Sequence, residues 1–300
     1  MILQLQWGTM INTIKWLQVE NTTRCNAWCP GCARNQGGYQ LSESLNIVDL
    51  DIARFNEVLD LLPNLETVQF CGTYGDTLAS PNVLEHISAV LSRNKKIQIH
   101  THGGFHNTAW WSKLATMLKS HVHDVWFTLD GLSGVHEIYR QGTNFEKIIK
   151  NAQAFINAGG QATWQFIPWQ HNEHQIKDCI KLSQKLGFKK FKLIKNVRTN
   201  FVARHWKTGD LLDIKPWTLN PSYNLREIQF VKNHVEESNC MHLTGPSIYL
   251  NANGNISVCC EFNIQRQSQS FDQLPDINQE LRSQPNQTCL RACGSFKNAD

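Results

Sequence analysis

The sequence predicts an α/β fold: a partial barrel of six parallel strands with crossover helices, followed by a small C-terminal β-hairpin extension. Short apolar segments alternate with longer segments of helical period, which is typical of parallel strands joined by helices. The 300 residues, 41% of them apolar, are enough to bury a large core. Asn253-Gly254 lies between two segments of alternating polarity, the pattern of a two-residue hairpin turn. We therefore expect a partial, TIM-like (β/α)6 barrel with an appended hairpin.

The predicted elements follow one another in a regular order. The helix 47–62 is amphipathic, 81–93 has a proline near its start, 109–119 is rich in tryptophan and 144–159 ends on glycines. The fifth predicted helix is 173–187. The six predicted strands are 14–20, 65–72, 96–103, 124–131, 162–169 and 188–195.

Composition divides the chain and excludes some classes of protein. We expect a core barrel over 1–198, a bridge rich in turn formers over 199–235, and a cysteine-bearing extension over 236–300. No run of about 18 apolar residues exists, so no membrane span is predicted. The N-terminus lacks the features of a secretion signal, so a cytoplasmic location is expected. The net charge of +4 is mild and predicts no nucleic-acid partner.

Three cysteines lie within one short segment, "RCNAWCPGC". Cys25, Cys29 and Cys32 have spacers of three and two residues, and the next cysteine is Cys71. Structural zinc usually takes four ligands, whereas three thiols alone suit an iron–sulfur cluster that keeps one iron open. A zinc knuckle completed by a distant ligand is the alternative. Ten cysteines in a long chain without a signal favour metal or redox chemistry over disulfides.

Polar residues and glycines follow four successive predicted strands. The cysteine segment follows the first strand, "CGTYGD" (71–76) ends the second, "HTHGG" (100–104) the third and "TLDG" (128–131) the fourth. Sites in folds of this kind gather at the C-terminal ends of the strands. Each motif alone could be an ordinary tight turn, but together they predict one active site.

The segment "CNAWCPGC" after the first strand of a βα pattern resembles the radical S-adenosylmethionine (SAM) superfamily, over residues 13 to 198. The resemblance implies a [4Fe–4S] cluster on Cys25, Cys29 and Cys32, with SAM as the ligand of the open iron. It implies reductive cleavage of SAM to a 5′-deoxyadenosyl radical that abstracts a substrate hydrogen. The protein then positions the radical and excludes water.

The same resemblance nominates residues for binding SAM. "GTYGD" lies where the family has a glycine-rich segment, and it departs from the commoner two glycines followed by Glu. "TLDG" and "HEIYRQG" resemble segments that reach the ribose or the carboxylate of SAM, for which a bidentate arginine is suited. The family's usual aromatic residue before the third cysteine is replaced by Gly31. The nominees are Gly72, Thr73, Tyr74, Gly75, Asp76, Thr128, Asp130, Arg140 and Gln165.

Other readings of these residues stay open. Asp130 could cap the following turn, and Arg140 could form a surface ion pair. The histidines at 100, 102 and 106 are expected to be structural or to line the substrate rather than to bind a metal. Cys71 adjoins the expected SAM site and is nominated as a hydrogen-atom donor, although filling a small buried space is the simpler role.

A second group of cysteines lies in the C-terminal extension. Its order, with Gly254 in the hairpin before Cys259, resembles the SPASM/twitch extension of radical SAM enzymes over 236–296. The resemblance implies a second, auxiliary [4Fe–4S] cluster on Cys240, Cys259 and Cys293, with Cys289 or Cys260 as fourth ligand. Zinc is the alternative, because four thiols also satisfy it.

The expected function is modification of a peptide or protein side chain, because many SPASM/twitch enzymes act on such substrates. The alternatives are radical chemistry on a nucleoside or other small molecule, or a non-catalytic iron–sulfur or zinc protein that binds nucleic acid. Expected partners are a reductase such as flavodoxin or ferredoxin and a separate leader-binding protein, since only about a dozen residues precede the first strand.

Overall fold

The computed structural model describes residues 11–119, 123–194, 201–217, 247–257, 268 and 270. Its strands are β1 (Trp16–Val19), β2 (Asn35–Gln36), β3 (Gln40–Leu41), β4 (Thr67–Phe70), β5 (Lys96–Thr101), β6 (Asp124–Thr128), β7 (Ala162–Phe166), β8 (Lys190–Leu193), β9 (Ser247–Leu250) and β10 (Ile256–Ser257). Its α-helices are α1 (Ile52–Asp60), α2 (Val83–Ser92), α3 (Thr108–Leu118), α4 (His136–Tyr139), α5 (Phe145–Asn157) and α6 (Ile176–Lys185). No helix among the described residues is both long and apolar enough to cross a membrane.

Eight of these strands form one mostly parallel sheet, so the α/β prediction is confirmed. The strand order is β10-β9-β1-β4-β5-β6-β7-β8, and β2 pairs with β3 in a separate small hairpin. The strands β1 and β4, β4 and β5, β6 and β7, and β7 and β8 pair in parallel. All six predicted strands are present at shorter lengths, with the predicted helices between them.

The first helix begins later than the pattern 47–62 predicted. The Asp51 side chain accepts the Arg54 backbone N–H, so it caps the helix and α1 starts at Ile52. The residues before the cap bond to the chain that follows β1: the Leu50 N–H donates to the Asn21 carbonyl, at 2.9 Å. Because the Asp51 cap lies inside the amphipathic segment, the helix begins later than the start of that segment.

The chain divides into two compact units. Unit 1 draws on 1–24, 46–99 and 237–300, and unit 2 on 25–45 and 100–236, as far as these ranges are described. The predicted boundaries at 198 and 235 lie outside the described residues, so the three-region division stays a prediction.

In unit 1, the C-terminal hairpin is part of the main sheet. Strand β9 pairs in parallel with β1, so that Trp16 lies opposite Ser247 and Val19 opposite Leu250. The loop to β10 covers residues 251–255 and is therefore longer than the predicted two-residue turn, with Gly254 inside it at a φ of 79°. The sequence predicted the hairpin but not its place beside the first strand.

In unit 2, strands β6 to β8 have one apolar and one polar face. Phe127, Trp164 and Phe191 are buried, and Trp111 of α3 and Phe155 of α5 pack against Phe127 with ring centroids 4.9 Å and 6.1 Å away. This aromatic layer joins the helices to the sheet. The alternate residues of the same strands form the polar face, because successive strand side chains point to opposite sides.

Candidate active site

The predicted cluster cysteines lie together in a loop of unit 2. Cys29 is buried, and Cys25 and Cys32 are partly buried and pack against the same group of side chains as Cys29. The Cys32 N–H donates to the Cys29 carbonyl at 3.0 Å, and the Asn35 side-chain amide donates to that carbonyl at 3.2 Å. None of the three thiols is in a disulfide. The loop is thus a tight turn that carries three thiols.

A buried ion pair lies beside these thiols. The Arg140 Nε donates to Asp130 Oδ2 at 2.6 Å, and Arg140 Nη1 lies 3.7 Å from Cys29 Sγ. Asp130 is fully buried and its other oxygen accepts the Ile167 N–H at 2.8 Å. Arg140 is therefore not in a surface ion pair, and Asp130 fixes its guanidinium against a cysteine. Contact of either residue with SAM stays a prediction.

Burial sets the protonation of the central thiol. It raises the pKa of Cys29 to about 11, although the charge of Arg140 acts in the opposite direction. A thiol with this pKa is protonated at neutral pH and gives up its proton only when a metal replaces it. Arg140 is the cation placed to offset the thiolate charge that then develops.

Aromatic side chains surround the position of the missing family aromatic. A Cβ on Gly31 would lie 2.8 Å from both the Phe201 ring and Tyr139 Oη, so a larger residue does not fit there. Tyr139 also packs on Trp169, with ring centroids 4.7 Å apart. The Trp169 Nε1 is buried and, within the described residues, has no hydrogen-bond partner. Residues that follow in the chain thus supply the aromatic surface that Gly31 lacks.

The glycine-rich segment lies in unit 1. Its backbone is held by the carboxylate of Glu20, a residue that the sequence did not single out. Glu20, which directly follows β1, accepts the Tyr74 N–H at 2.6 Å and the Gly75 N–H at 3.2 Å through Oε1. Its Oε2 accepts the Tyr249 hydroxyl of β9 at 2.9 Å. Burial raises the pKa of Glu20, against the effect of these donors. A Cβ on Gly75 would overlap the Thr22 carbonyl oxygen, which explains the glycine.

The remaining nominees have separate places. Asp76 is buried and accepts the Leu78 N–H at 3.0 Å, so it caps a short 3₁₀ helix. Gly72 lies directly against the Glu20 side chain. Cys71 directly follows β4, is partly buried and is not in a disulfide. Thr128 and Gln165 lie opposite each other on β6 and β7. The SAM contacts of these residues and of Thr73, and the hydrogen-donor role of Cys71, stay predictions.

Within the described ranges, no three His, Cys, Asp or Glu side chains are grouped as they would be around a single metal ion. The expectation that His100, His102 and His106 are structural or line the substrate stays a prediction. Cysteines 240, 259, 260, 289 and 293 lie outside the described residues, and the auxiliary site therefore stays a prediction.

Parallel strands, crossover helices and a three-thiol loop beside an arginine are the arrangement expected of an α/β iron–sulfur enzyme. A family model, the Radical SAM superfamily, matches residues 19–183 of this chain. The chain belongs to that superfamily, as its cysteine spacing indicated. Membership implies a [4Fe–4S] cluster and SAM. Among curated proteins, none matches the chain by sequence.

Solved structures with the same fold agree. SuiB of Streptococcus suis bound to S-adenosylmethionine has a TM-score of 0.67 and 16% identity, with 98% of this chain and 74% of that chain covered. SuiB bound to its precursor peptide SuiA gives 0.67 and 15%, with coverage of 99% and 73%. Native anSMEcpe with AdoMet and the Cp18Cys peptide gives 0.59 and 16%, with coverage of 95% and 91%. At sequence identities of 15% and 16%, this structural similarity establishes the shared fold alone.

The residues present fit the implied cluster. The donor set is three thiols in one turn, none of them in a disulfide, which matches a cluster that keeps one iron for another ligand. The Arg140 guanidinium beside Cys29 suits a negatively charged sulfur. The Trp169 N–H has no partner among the described residues and is a donor suited to a sulfur or to SAM.

Proposed function

We propose that this enzyme cleaves SAM reductively and uses the 5′-deoxyadenosyl radical to abstract a hydrogen atom from a peptide or protein side chain. Cys25, Cys29 and Cys32 would hold the cluster. The bound cluster supplies the electron that splits SAM into methionine and the radical. The protein's own contribution is to hold SAM and to exclude water from the radical.

The observation that carries the proposal is the three-thiol turn with Arg140 fixed at Cys29 by the buried Asp130. Arg140, which the Asp130 carboxylate holds, also lies where its positive charge can face negative charge on the Cys29 sulfur in the working enzyme. Peptide substrates are supported by the two matched structures whose titles name a bound peptide, SuiB with SuiA and anSMEcpe with Cp18Cys.

The test is SAM cleavage after anaerobic reconstitution with dithionite. Replacing Cys25, Cys29 and Cys32 together by alanine should abolish formation of 5′-deoxyadenosine. The matched control is Cys179→Ala, which removes a buried free thiol on α6 and should keep the activity. Undiminished cleavage in the triple variant would refute the assignment of the cluster to these thiols.

We also propose an auxiliary [4Fe–4S] cluster of the SPASM/twitch type on the C-terminal cysteines. Fully reconstituted protein should then contain about eight irons and eight sulfides per chain, about four for each cluster. Cys240→Ala with Cys259→Ala should lower both counts to about four. One zinc with about four irons in the native protein would identify a structural zinc site instead.

The remaining partners follow from this chemistry. A one-electron donor such as flavodoxin or ferredoxin would reduce the cluster, and a separate protein would bind the leader of the peptide. None of the five described cysteines is in a disulfide, as a reducing, cytoplasmic compartment would require.

A further inference from the structure

The backbone of Trp169 is held in place beside the three-thiol turn of unit 2. Its N–H donates to Asn172 Oδ1 at 2.7 Å, and its carbonyl accepts the Glu173 N–H at 2.9 Å. Asn172 is fully buried, and its side-chain amide also donates to the Asp130 carbonyl at 3.1 Å. Asp130 thus holds two residues near the thiols: Arg140 through its carboxylate, and Trp169 through Asn172.

The indole ring of Trp169 is packed between other aromatic rings. Tyr139 lies against it with ring centroids 4.7 Å apart, and Phe201 contacts it edge-on, with centroids 5.6 Å apart and an angle of 84°. The whole side chain is buried. An indole offers a single donor, its Nε1–H, and a ring packed in this way keeps that donor in one direction.

This donor has no acceptor in the part of the chain that the structure describes. A buried N–H in this state costs free energy, which an acceptor on a bound group would recover. Trp169 belongs to the same group of packed side chains as Cys29, and Cys25 and Cys32 pack against that group. The sulfurs of a cluster on these three cysteines would therefore lie in the surroundings of the indole.

Charge at the thiol turn decides what such a hydrogen bond would do. Arg140 Nη1 lies 3.7 Å from Cys29 Sγ and supplies a positive charge there. The reduction potential of an iron–sulfur cluster depends on hydrogen bonds to its sulfurs as well as on nearby charge. A sulfur that carries more negative charge accepts a stronger hydrogen bond, so a donor stabilises the reduced cluster more than the oxidised one.

We propose that the Trp169 Nε1–H donates to a sulfur of the cluster held by Cys25, Cys29 and Cys32, and that this hydrogen bond raises the reduction potential of the cluster. Trp169 acts through the cluster and is a positioning residue. No bond forms or breaks and no proton moves: the cluster gains one electron from the external donor. This inference rests on the proposed function and adds a residue that sets how readily the cluster accepts that electron.

The experiment titrates the full-length, anaerobically reconstituted enzyme with dithionite in the absence of SAM and follows the reduced cluster by electron paramagnetic resonance (EPR). The signal that changes when SAM is added afterwards belongs to the cluster of the three-thiol turn. Trp169→Phe keeps an aromatic ring and removes the N–H, so it should lower the equilibrium constant for reduction roughly fivefold, the effect of one hydrogen bond. The potential should then be more negative by about 40 mV, because a tenfold change corresponds to about 59 mV for one electron.

The matched control is Trp111→Phe. Trp111 is also a fully buried residue of unit 2, and its Nε1 donates to the Phe105 carbonyl at 3.0 Å. This variant loses an indole N–H that is bonded elsewhere, so the potential of the cluster should not change.

A second measurement uses the unmodified enzyme, so it does not depend on the folding of a variant. Protein labelled with ¹⁵N at the indole nitrogen of tryptophan should show a ¹⁵N coupling to the reduced cluster in electron–nuclear double resonance. The coupling should be retained in Trp111→Phe and lost in Trp169→Phe.

The inference is overturned by an unchanged potential in Trp169→Phe, by equal shifts in Trp169→Phe and Trp111→Phe, or by a ¹⁵N coupling that is absent from the unmodified enzyme or persists in Trp169→Phe. Weaker SAM binding in Trp169→Phe at an unchanged potential, measured by equilibrium dialysis, would assign the N–H to SAM and also overturn it. Failure of the proposed function is seen separately, as absence of 5′-deoxyadenosine from the unmodified enzyme.

Discussion

At the scale of single residues, Glu20 shows how one buried carboxylate can organise a backbone. Its two oxygens accept from the partly buried backbone N–H groups of Tyr74 and Gly75 and from the buried Tyr249 hydroxyl. Its neighbours in sequence carry no motif, and Tyr249 lies 229 residues further along the chain. An acidic residue at the end of the first strand was the one signal in the sequence that could have drawn attention to it.

We therefore expect Glu20→Ala to lower the free energy of unfolding by about 3 kcal/mol, because it leaves these donors unsatisfied. Glu20→Gln keeps an acceptor and avoids a buried charge, so its loss should be about 1 kcal/mol. Urea unfolding at constant pH measures both. Glu66→Ala, which removes an exposed ion pair with Lys15 in the same unit, should change little. Equal losses for the Ala and Gln variants would contradict this account.

At the scale of elements, the sequence predicted those parts that depend on local pattern. The alternation of strands and helices and the cysteine spacing are visible in short windows, and the sheet and the family match confirm them. Contacts between distant residues were not visible. The pairing of β9 with β1 joins residues more than 200 positions apart, and the Arg140–Cys29 contact spans 111. The hydrophobic periodicity of a sequence does not indicate which strands become neighbours in the sheet.

The hairpin turn gives the prediction at this scale. Gly254 has a φ of 79°, and a Cβ there would lie 2.9 Å from Arg54 Cγ, while the Arg54 Nε donates to its carbonyl at 3.0 Å. Gly254→Ala should therefore cost about 2 kcal/mol and increase amide hydrogen exchange in 247–257.

The matched control for the hairpin is Gly134→Ala. Its φ is 84°, and a Cβ there meets nothing within 4 Å, so the variant carries only the backbone strain of about 1 kcal/mol. If both variants lost the same stability, the contact with Arg54 would have no part in holding the hairpin.

At the scale of the whole molecule, buried and half-buried histidines couple stability to pH. Burial lowers the pKa of His100 to about 3 and of His171 to about 4, and it lowers those of His86 and His136 as well. The unfolded chain titrates these groups near their ordinary value of 6.5. Below pH 6.5 the unfolded state therefore binds more protons than the folded state, and stability falls as the pH falls.

The slope is the measurable consequence. Each fully buried histidine contributes up to about 1.4 kcal/mol per pH unit, between its unfolded and folded pKa values. His100→Gln removes this contribution, so the free energy of unfolding should decline less steeply between pH 6.5 and pH 4. The change in slope should be smaller than about 1.4 kcal/mol per pH unit, because His100 is partly exposed. The measurement is a series of urea unfolding curves across that pH range, with the unmodified enzyme alongside. At pH 8, His100 is neutral in both the folded and the unfolded state. A difference in unfolding free energy between the two proteins at that pH therefore comes from lost contacts and not from proton binding. A slope identical in the two proteins would show that the folded state protonates His100 as readily as the unfolded state, and the lowered pKa of His100 would then be wrong.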